Sequence, residues 1–293
     1  MANKYLGRED APISAAVWEK LDATVIEVAK SQLVGRRLLH IEGPYGLGLK
    51  FVPLDDMLIS AEWEEAPEST EGAEEKEEDT LFEDLSLGPE IVASPVIPVA
   101  LIRHAFVLGA RDLAAYERDG VGLDLSGVAE AAVACARAED QLIFKGSVDL
   151  ETSGLLNAEG NHSFKLSAWE KVGRAADDII KAVTLLDGSG FHGPYSLALA
   201  PSRYNLLFRL YPQSSTTELA HLQSIVTAGI FKASILKEGG VLLASGRQFA
   251  SIVIGQDMSV GFIGPSDGEL EFSISESLAL RVRQPKAICA LEG

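Results

Sequence analysis

Apolar positions set out the first quarter of the chain. Val17, Leu21, Val25, Val28 and Leu33 recur close to a 3.6 period, with Trp18 at the edge of the stripe. The spacing predicts an amphipathic helix over 15–34, capped by Ser14 behind Pro12. Gly35 stands just past it, where a left-handed backbone costs least. From 36 to 42 the pattern changes to alternation, with Leu39 and Ile41 on one face, which predicts a half-buried strand. Gly43-Pro44-Tyr45-Gly46 then forces a turn, since proline fixes φ and glycine tolerates what other residues cannot. Residues 49–52 predict a short strand before Pro53.

Further along, 97–108 is apolar on both faces and predicts a long strand, followed by a short helix over 109–118. Residues 126–145 predict a helix rich in alanine, closed by Gly146, whose small side chains allow close packing. Gly154 to Asn157 predicts a loop. Ser167 and Glu170 match a capping box for a helix running to about Leu186, with Trp169, Val172, Ala176, Ile179 and Val183 as its buried stripe. Gly193-Pro194-Tyr195 repeats the earlier turn and leads to a strand over 196–200. Helices are expected over 202–210 and 216–227, broken at Tyr211-Pro212. The rest predicts strands at 241–244, 251–254 and 258–263, then a long alternating pair over 269–291, with Gly239-Gly240 as a hairpin turn. The order is mixed α+β, without an internal repeat of 20–50 residues.

Charge changes this picture in one place. The net charge is −18, yet residues 62–84 hold twelve acidic side chains and a single lysine, Lys76. That stretch carries −11 and leaves a mildly acidic body of −7. Bounded by Pro67 and by Gly88-Pro89, it predicts a solvated loop. A Ca²⁺ loop would need Asp-x-Asp-x-Asp-Gly spacing, which is missing. The acidic balance argues against a nucleic-acid surface.

With 47% hydrophobic residues and mean hydropathy +0.13, the chain can bury a large core, in one elaborate domain or two. No apolar run reaches the roughly 20 residues that span a bilayer, and no secretory start is present, so a cytoplasmic protein without a membrane partner is expected. Cys135 and Cys289 lie in apolar runs and are expected to be buried free thiols.

Catalytic chemistry is hard to place. The five histidines (His40, His104, His162, His192, His221) lack metal-ligand spacing. There is no Gly-x-Ser-x-Gly elbow and no phosphate-binding Gly-x-x-x-x-Gly-Lys-Ser/Thr. Acid pairs abound only in the charged run. No catalytic residue, metal ligand or cofactor site is nominated.

Taken together, several stretches resemble the encapsulin shell proteins of the linocin type. These are Gln32-Leu33-Val34-Gly35-Arg36-Arg37, Glu42-Gly43-Pro44-Tyr45-Gly46, Glu117-Arg118 and Asp124-Leu125-Ser126. They continue with 139–146, Gly193-Pro194-Tyr195 and Gly255-Gln256-Asp257-Met258-Ser259-Val260-Gly261, in the family's order over nearly the whole chain. The resemblance implies an HK97 phage-capsid-like fold in the α+β class. It divides the chain into a P-domain at 1–46, an extended E-loop at 47–97 with the acidic insertion, and a P-domain segment with the spine helix at 98–150. An A-domain at 151–250 and closing P-domain strands at 251–293 complete it. It also implies an icosahedral cage, a homo-oligomer of about sixty copies, enclosing a cargo enzyme of ferritin-like or dye-decolourising peroxidase type held by a C-terminal targeting peptide. Some members bind flavin through an aromatic residue where this chain has Arg111, so no flavin is expected. A viral or prophage major capsid protein is the alternative structural role, and a peptidase or bacteriocin the enzymatic one.

By position, the family's cargo-peptide docking patch falls on Ala29, Arg36, His40, Asp257, Met258 and Val260. Ala29, Met258 and Val260 would form a small apolar trough, with Arg36 and Asp257 as anchors at its rim. His40, where a polar or acidic group is the rule, would suit a tail carrying carboxylates. The competing reading is that Arg36 and Asp257 pair with each other or cap local turns. The repeated −11 stretch either opposes assembly as pH rises, or is a solvated exterior loop without such an effect.

Overall fold

The computed structural model describes residues 4–54 and 95–293. The acidic run at 62–84 lies outside the described residues. The amphipathic stripe folds as the helix Ala15–Gln32, burying Val17, Leu21, Val25 and Ala29. Its expected cap differs: the Ser14 side chain makes no capping bond, and the Ser14 N–H instead donates to Glu117 Oε1 at 2.9 Å. The alanine-rich segment is the helix Ser126–Lys145, closed by Gly146 as the sequence predicts. Val128, Ala131, Ala132 and Cys135 face Val17, Leu21 and Val25, and both helices lie on Phe106, Phe272 and Ile274. Small alanines let the helix axes approach, and the Phe106 and Phe272 rings stack at 5.5 Å between centroids.

That layer rests on a five-stranded sheet. His40–Glu42 runs parallel to Ala250–Ile254, which pairs antiparallel with Glu269–Val282. The long strand Glu269–Val282 also pairs antiparallel with Ser259–Ser266 and with Ala100–Gly109. A second five-stranded sheet runs His162–Lys165, Ile288–Glu292, Gly240–Ala244, Tyr195–Leu199, Gly229–Lys232. The helix Arg174–Gly188 covers it, packing Ala176, Ile179, Val183 and Leu186 against Leu197, Leu242 and Leu291. Between the sheets, Ile143 and Phe144 from the long helix meet Ile252, Leu280, Val241 and Ile288.

Several expectations are corrected. The segment 36–42 is not one strand: Gly35–Leu38 is a short helix, and only His40–Glu42 is extended. The strand expected over 97–108 changes partners at Val99. Val96–Pro98 pairs with Phe51–Pro53, while Ala100–Gly109 joins the first sheet. The capping box at Ser167 does not start a helix; the helix begins at Arg174, behind Gly173 with φ +97°. Asp178 overrides it, accepting from Ser167 N and Oγ, both at 2.7 Å, and from Trp169 Nε1 at 2.9 Å. Burying the indole requires a partner for its N–H, and that need outweighs the local cap.

The helices expected over 202–210 and 216–227 shorten to Pro201–Leu206 and Glu218–Gln223. Gly239-Gly240 is not a hairpin turn, because Gly240–Ala244 pairs with Tyr195–Leu199 and Ile288–Glu292, not with Gly229–Lys232. The pair expected over 269–291 is split between sheets, Ile288–Glu292 lying in the second. Glu269–Val282 is buried on both faces for most of its length, so its pattern does not alternate.

Candidate functional site

The site grows from the junction between the first helix and the long helix. Gly35 is glycine for space, not for a left-handed turn: a Cβ there would stand 2.5 Å from Ile143 Cδ1 and 3.2 Å from Asp140 Oδ1. The bare backbone lets the Val34 and Gly35 N–H groups donate to Asp140 Oδ2 and Oδ1 at 3.1 and 2.8 Å. Burial pushes the Asp140 carboxyl up to about 6, partly offset by those backbone bonds. The short helix Gly35–Leu38 is thereby fixed to the long helix, which orients the next side chain.

That side chain is Arg36. Its Nε and Nη2 donate to Glu139 Oε1 and Oε2 at 2.7 and 2.8 Å, a bidentate pair. Nη2 also reaches Glu276 Oε2 at 3.0 Å, and Nη1 reaches Asp257 Oδ1 at 2.7 Å. One guanidinium thus ties together the long helix, the strand Glu269–Val282 and the Gln256–Met258 loop. Burial opposes the Arg36 charge, yet Glu139 and Asp257 raise its pKa overall. Burial and the adjacent charge of Glu139 push the Glu276 carboxyl up. Asp257 also accepts from the Met258 N–H at 2.8 Å, which closes the loop on itself.

Over this network lies a groove of about 300 Å³, reaching from Val25 to Asp257 along the end of the first helix. Four of the six expected docking residues line it: Ala29, Arg36, Asp257 and Met258. Two do not. Val260 is fully buried among the helix-facing core residues, its carbonyl accepting from Arg8 Nε at 2.9 Å. His40 is exposed but outside the lining, because successive strand residues point to opposite sides and Ile41 takes the groove position.

The sequence reading missed Ile26 and Ile41, which leave 50% and 41% of their surface exposed at the groove. It also missed Leu33 of the floor and Lys30 and Arg37 of the lining. The available signals were Ile26, off the buried stripe of the first helix, and Ile41, an isoleucine at an exposed strand position. The pairing of Arg36 with Asp257 was the competing reading, and the 2.7 Å bond is formed. The Arg36 guanidinium is therefore engaged, and Lys30 and Arg37 are the further cations of the lining. Arg37 lies 4.5 Å over the Phe231 ring.

Chemical machinery is sparse around this groove. Cys135 and Cys289 are buried free thiols, and burial pushes both up to about 12, which keeps them as inert core residues. Among the described residues, no group of three or more His, Cys, Asp or Glu side chains could hold a metal ion. No helix among them is long and apolar enough to cross a membrane.

Comparison with known proteins places these features in context. The family model described as "Encapsulating protein for peroxidase" (Linocin_M18) matches residues 3–279. A type 1 encapsulin shell protein, EncA of Myxococcus xanthus, is 33% identical over 290 residues, covering 99% of this chain and 96% of that protein. Among solved structures, a virus-like particle from Pyrococcus furiosus superposes with a TM-score of 0.68 at 24% identity, over 94% of this chain and 99% of that one. The capsid of the myovirus XM1 superposes with a TM-score of 0.53 at 17% identity, over 69% of this chain and 75% of that one.

Proposed function

The chain belongs to the encapsulin family, whose members are shell proteins with an HK97-like capsid fold, and on that premise we propose how this shell closes and where it holds its cargo. Copies of the chain assemble into an icosahedral cage of about sixty subunits in the cytoplasm. The cage encloses an enzyme of ferritin-like or dye-decolourising peroxidase type, tethered by a C-terminal peptide. Sheet membership among the described residues supports a P-domain of 1–46, 98–150 and 251–287, and the resemblance to the family makes 47–97 the E-loop. Residues 151–250 and the terminal strand then form the A-domain.

The groove at the end of the first helix carries this reading. Val25, Ala29, Leu33 and Met258 give it an apolar floor, and Ile26 and Ile41 stand half-exposed at its edge with no described residue covering them. A short peptide with two or three apolar side chains would bury that surface. Met258 adapts to their shape, and Asp257, with 60% of its side chain exposed, receives a backbone N–H or a basic group. Arg36 acts beneath, holding Asp257 in place. Weak binding by each copy suffices, since an oligomeric cargo presents several tails at high effective concentration.

The test is co-expression of the shell with its cargo, comparing wild type with Ile26→Asp and Met258→Asp. Both side chains are partly exposed, so the fold tolerates the change, while a charge at the edge or in the floor opposes an apolar tail. Shells should form normally and carry about tenfold less cargo. Shells filled to the wild-type level would place the docking patch elsewhere.

A further inference from the structure

A second concavity, apart from the groove, is built around a buried carboxylate. Glu42 ends the strand His40–Glu42 and is nearly inaccessible. Burial opposes its ionisation, yet bonds from Arg281 and Ser251 and the nearby guanidinium charges hold its carboxyl down at about 2. It therefore counts as one full negative charge. Three arginines share it unequally. Arg281 Nη2 donates at 2.5 Å; Arg283 lies at 3.4 Å, its Nη1 also donating to Arg247 O at 2.9 Å and Ser251 Oγ at 3.2 Å; Arg247 lies at 3.6 Å.

These four residues line a cleft of about 360 Å³ together with Tyr45 and Phe51. No other lining residue is acidic, so the cleft holds two positive charges in excess, in a chain whose net charge is −18. The volume falls at the lower end of the range for small-molecule clefts, about 300–1,000 Å³. Arg247 keeps 65% of its side chain exposed, so its fork can turn to a ligand. Tyr45 and Phe51 are also more than half exposed, at 61% and 57%, and give the opening an aromatic edge. Guanidinium forks bind phosphate and carboxylate oxygens bidentately, and flat rings stack on aromatic side chains.

We propose that this cleft is a binding site for a small oxyanion carried on a flat ring. Its phosphate or carboxylate group bonds to the exposed fork of Arg247 under the field of the arginines behind it, and its ring lies against Tyr45 and Phe51. Glu42, Arg281 and Arg283 form the fixed floor, and Arg283 donates to the Arg247 carbonyl at 2.9 Å, which holds the backbone that carries the outer fork.

The probes are phenyl phosphate, inorganic phosphate and phenol, titrated into the assembled full-length protein by calorimetry. Phenyl phosphate should bind saturably at one per chain, inorganic phosphate more weakly, and phenol not at all. Arg247→Gln leaves Glu42 its two other arginines, so the fold is retained. That variant should weaken both anions by about tenfold. Phe51→Ala should bring phenyl phosphate down to the affinity of inorganic phosphate and leave the latter unchanged. Absence of saturable anion binding at millimolar concentration would overturn the proposal. So would wild-type affinity in Arg247→Gln, or an undiminished preference for phenyl phosphate in Phe51→Ala.

Discussion

Replacing Arg36 by methionine probes the network under the groove. The guanidinium makes four N–H···O bonds to three carboxylates, at 2.7, 2.8, 3.0 and 2.7 Å. The bond to the exposed Asp257 contributes little, about 0–1 kcal/mol. Glu139 and Glu276 are fully buried, so methionine leaves two facing carboxyls without their cation. Breaking a buried pair from one side costs about 3–5 kcal/mol. The loss should depend on pH with a definite sign. Two unpaired buried carboxyls cannot both stay ionised, so the folded variant binds protons that the unfolded chain has released. Its stability is then fully retained below the unfolded carboxyl range, near pH 4, and falls as pH rises. Urea unfolding of wild type and Arg36→Met from pH 4 to pH 8 measures the gap, which should widen with pH. Adding Glu139→Gln to Arg36→Met leaves a single buried carboxyl, that of Glu276, which burial already pushes up, and should recover a large part of the loss at pH 8. A gap that is small, or constant across the range, would refute the reasoning.

Gly35→Ala should destabilise the chain by about 1–3 kcal/mol through overpacking against Ile143. Ile143→Val removes the Cδ1 atom in the way, so the double variant should lose less than the sum of the two singles in the same urea assay. Asp140→Asn tests the raised carboxyl. A folded pKa of about 6 means that the wild type gives up stability as pH rises from the unfolded value through 6. The urea midpoint of Asp140→Asn should therefore gain on that of the wild type between pH 4 and pH 7, and parallel profiles would contradict the assignment. Trp169→Phe deletes the indole donor to Asp178 and should lower the unfolding midpoint by about 1 kcal/mol equivalent, with the helix Arg174–Gly188 retained by circular dichroism.

How much was legible depended on how local the cause was. The helix Ser126–Lys145 and its Gly146 stop read directly, because propensity and termination sit in adjacent residues. Gly35 misled, since a glycine after an apolar stripe ordinarily marks a left-handed cap. Its actual reason, Ile143 and Asp140 on another helix, is more than a hundred residues away. Ser167 misled in the same manner, a sound local cap overridden by Asp178 and a buried indole. In the groove, Ala29, Asp257 and Met258 came through the resemblance, while His40 stood one strand position from the residue that lines it, Ile41. Side-chain alternation turns one residue of misplacement into the wrong face. Glu139 came only as part of the 139–146 stretch of the resemblance, and Glu276 carried no signal at all: a buried acid looks like a surface acid until its partner is placed.

Sedimentation velocity of the purified full-length protein at neutral pH tests the central claim most directly. Closure into a shell predicts a single fast boundary with the mass of about sixty chains. A protein that sediments only as monomer or dimer would contradict it.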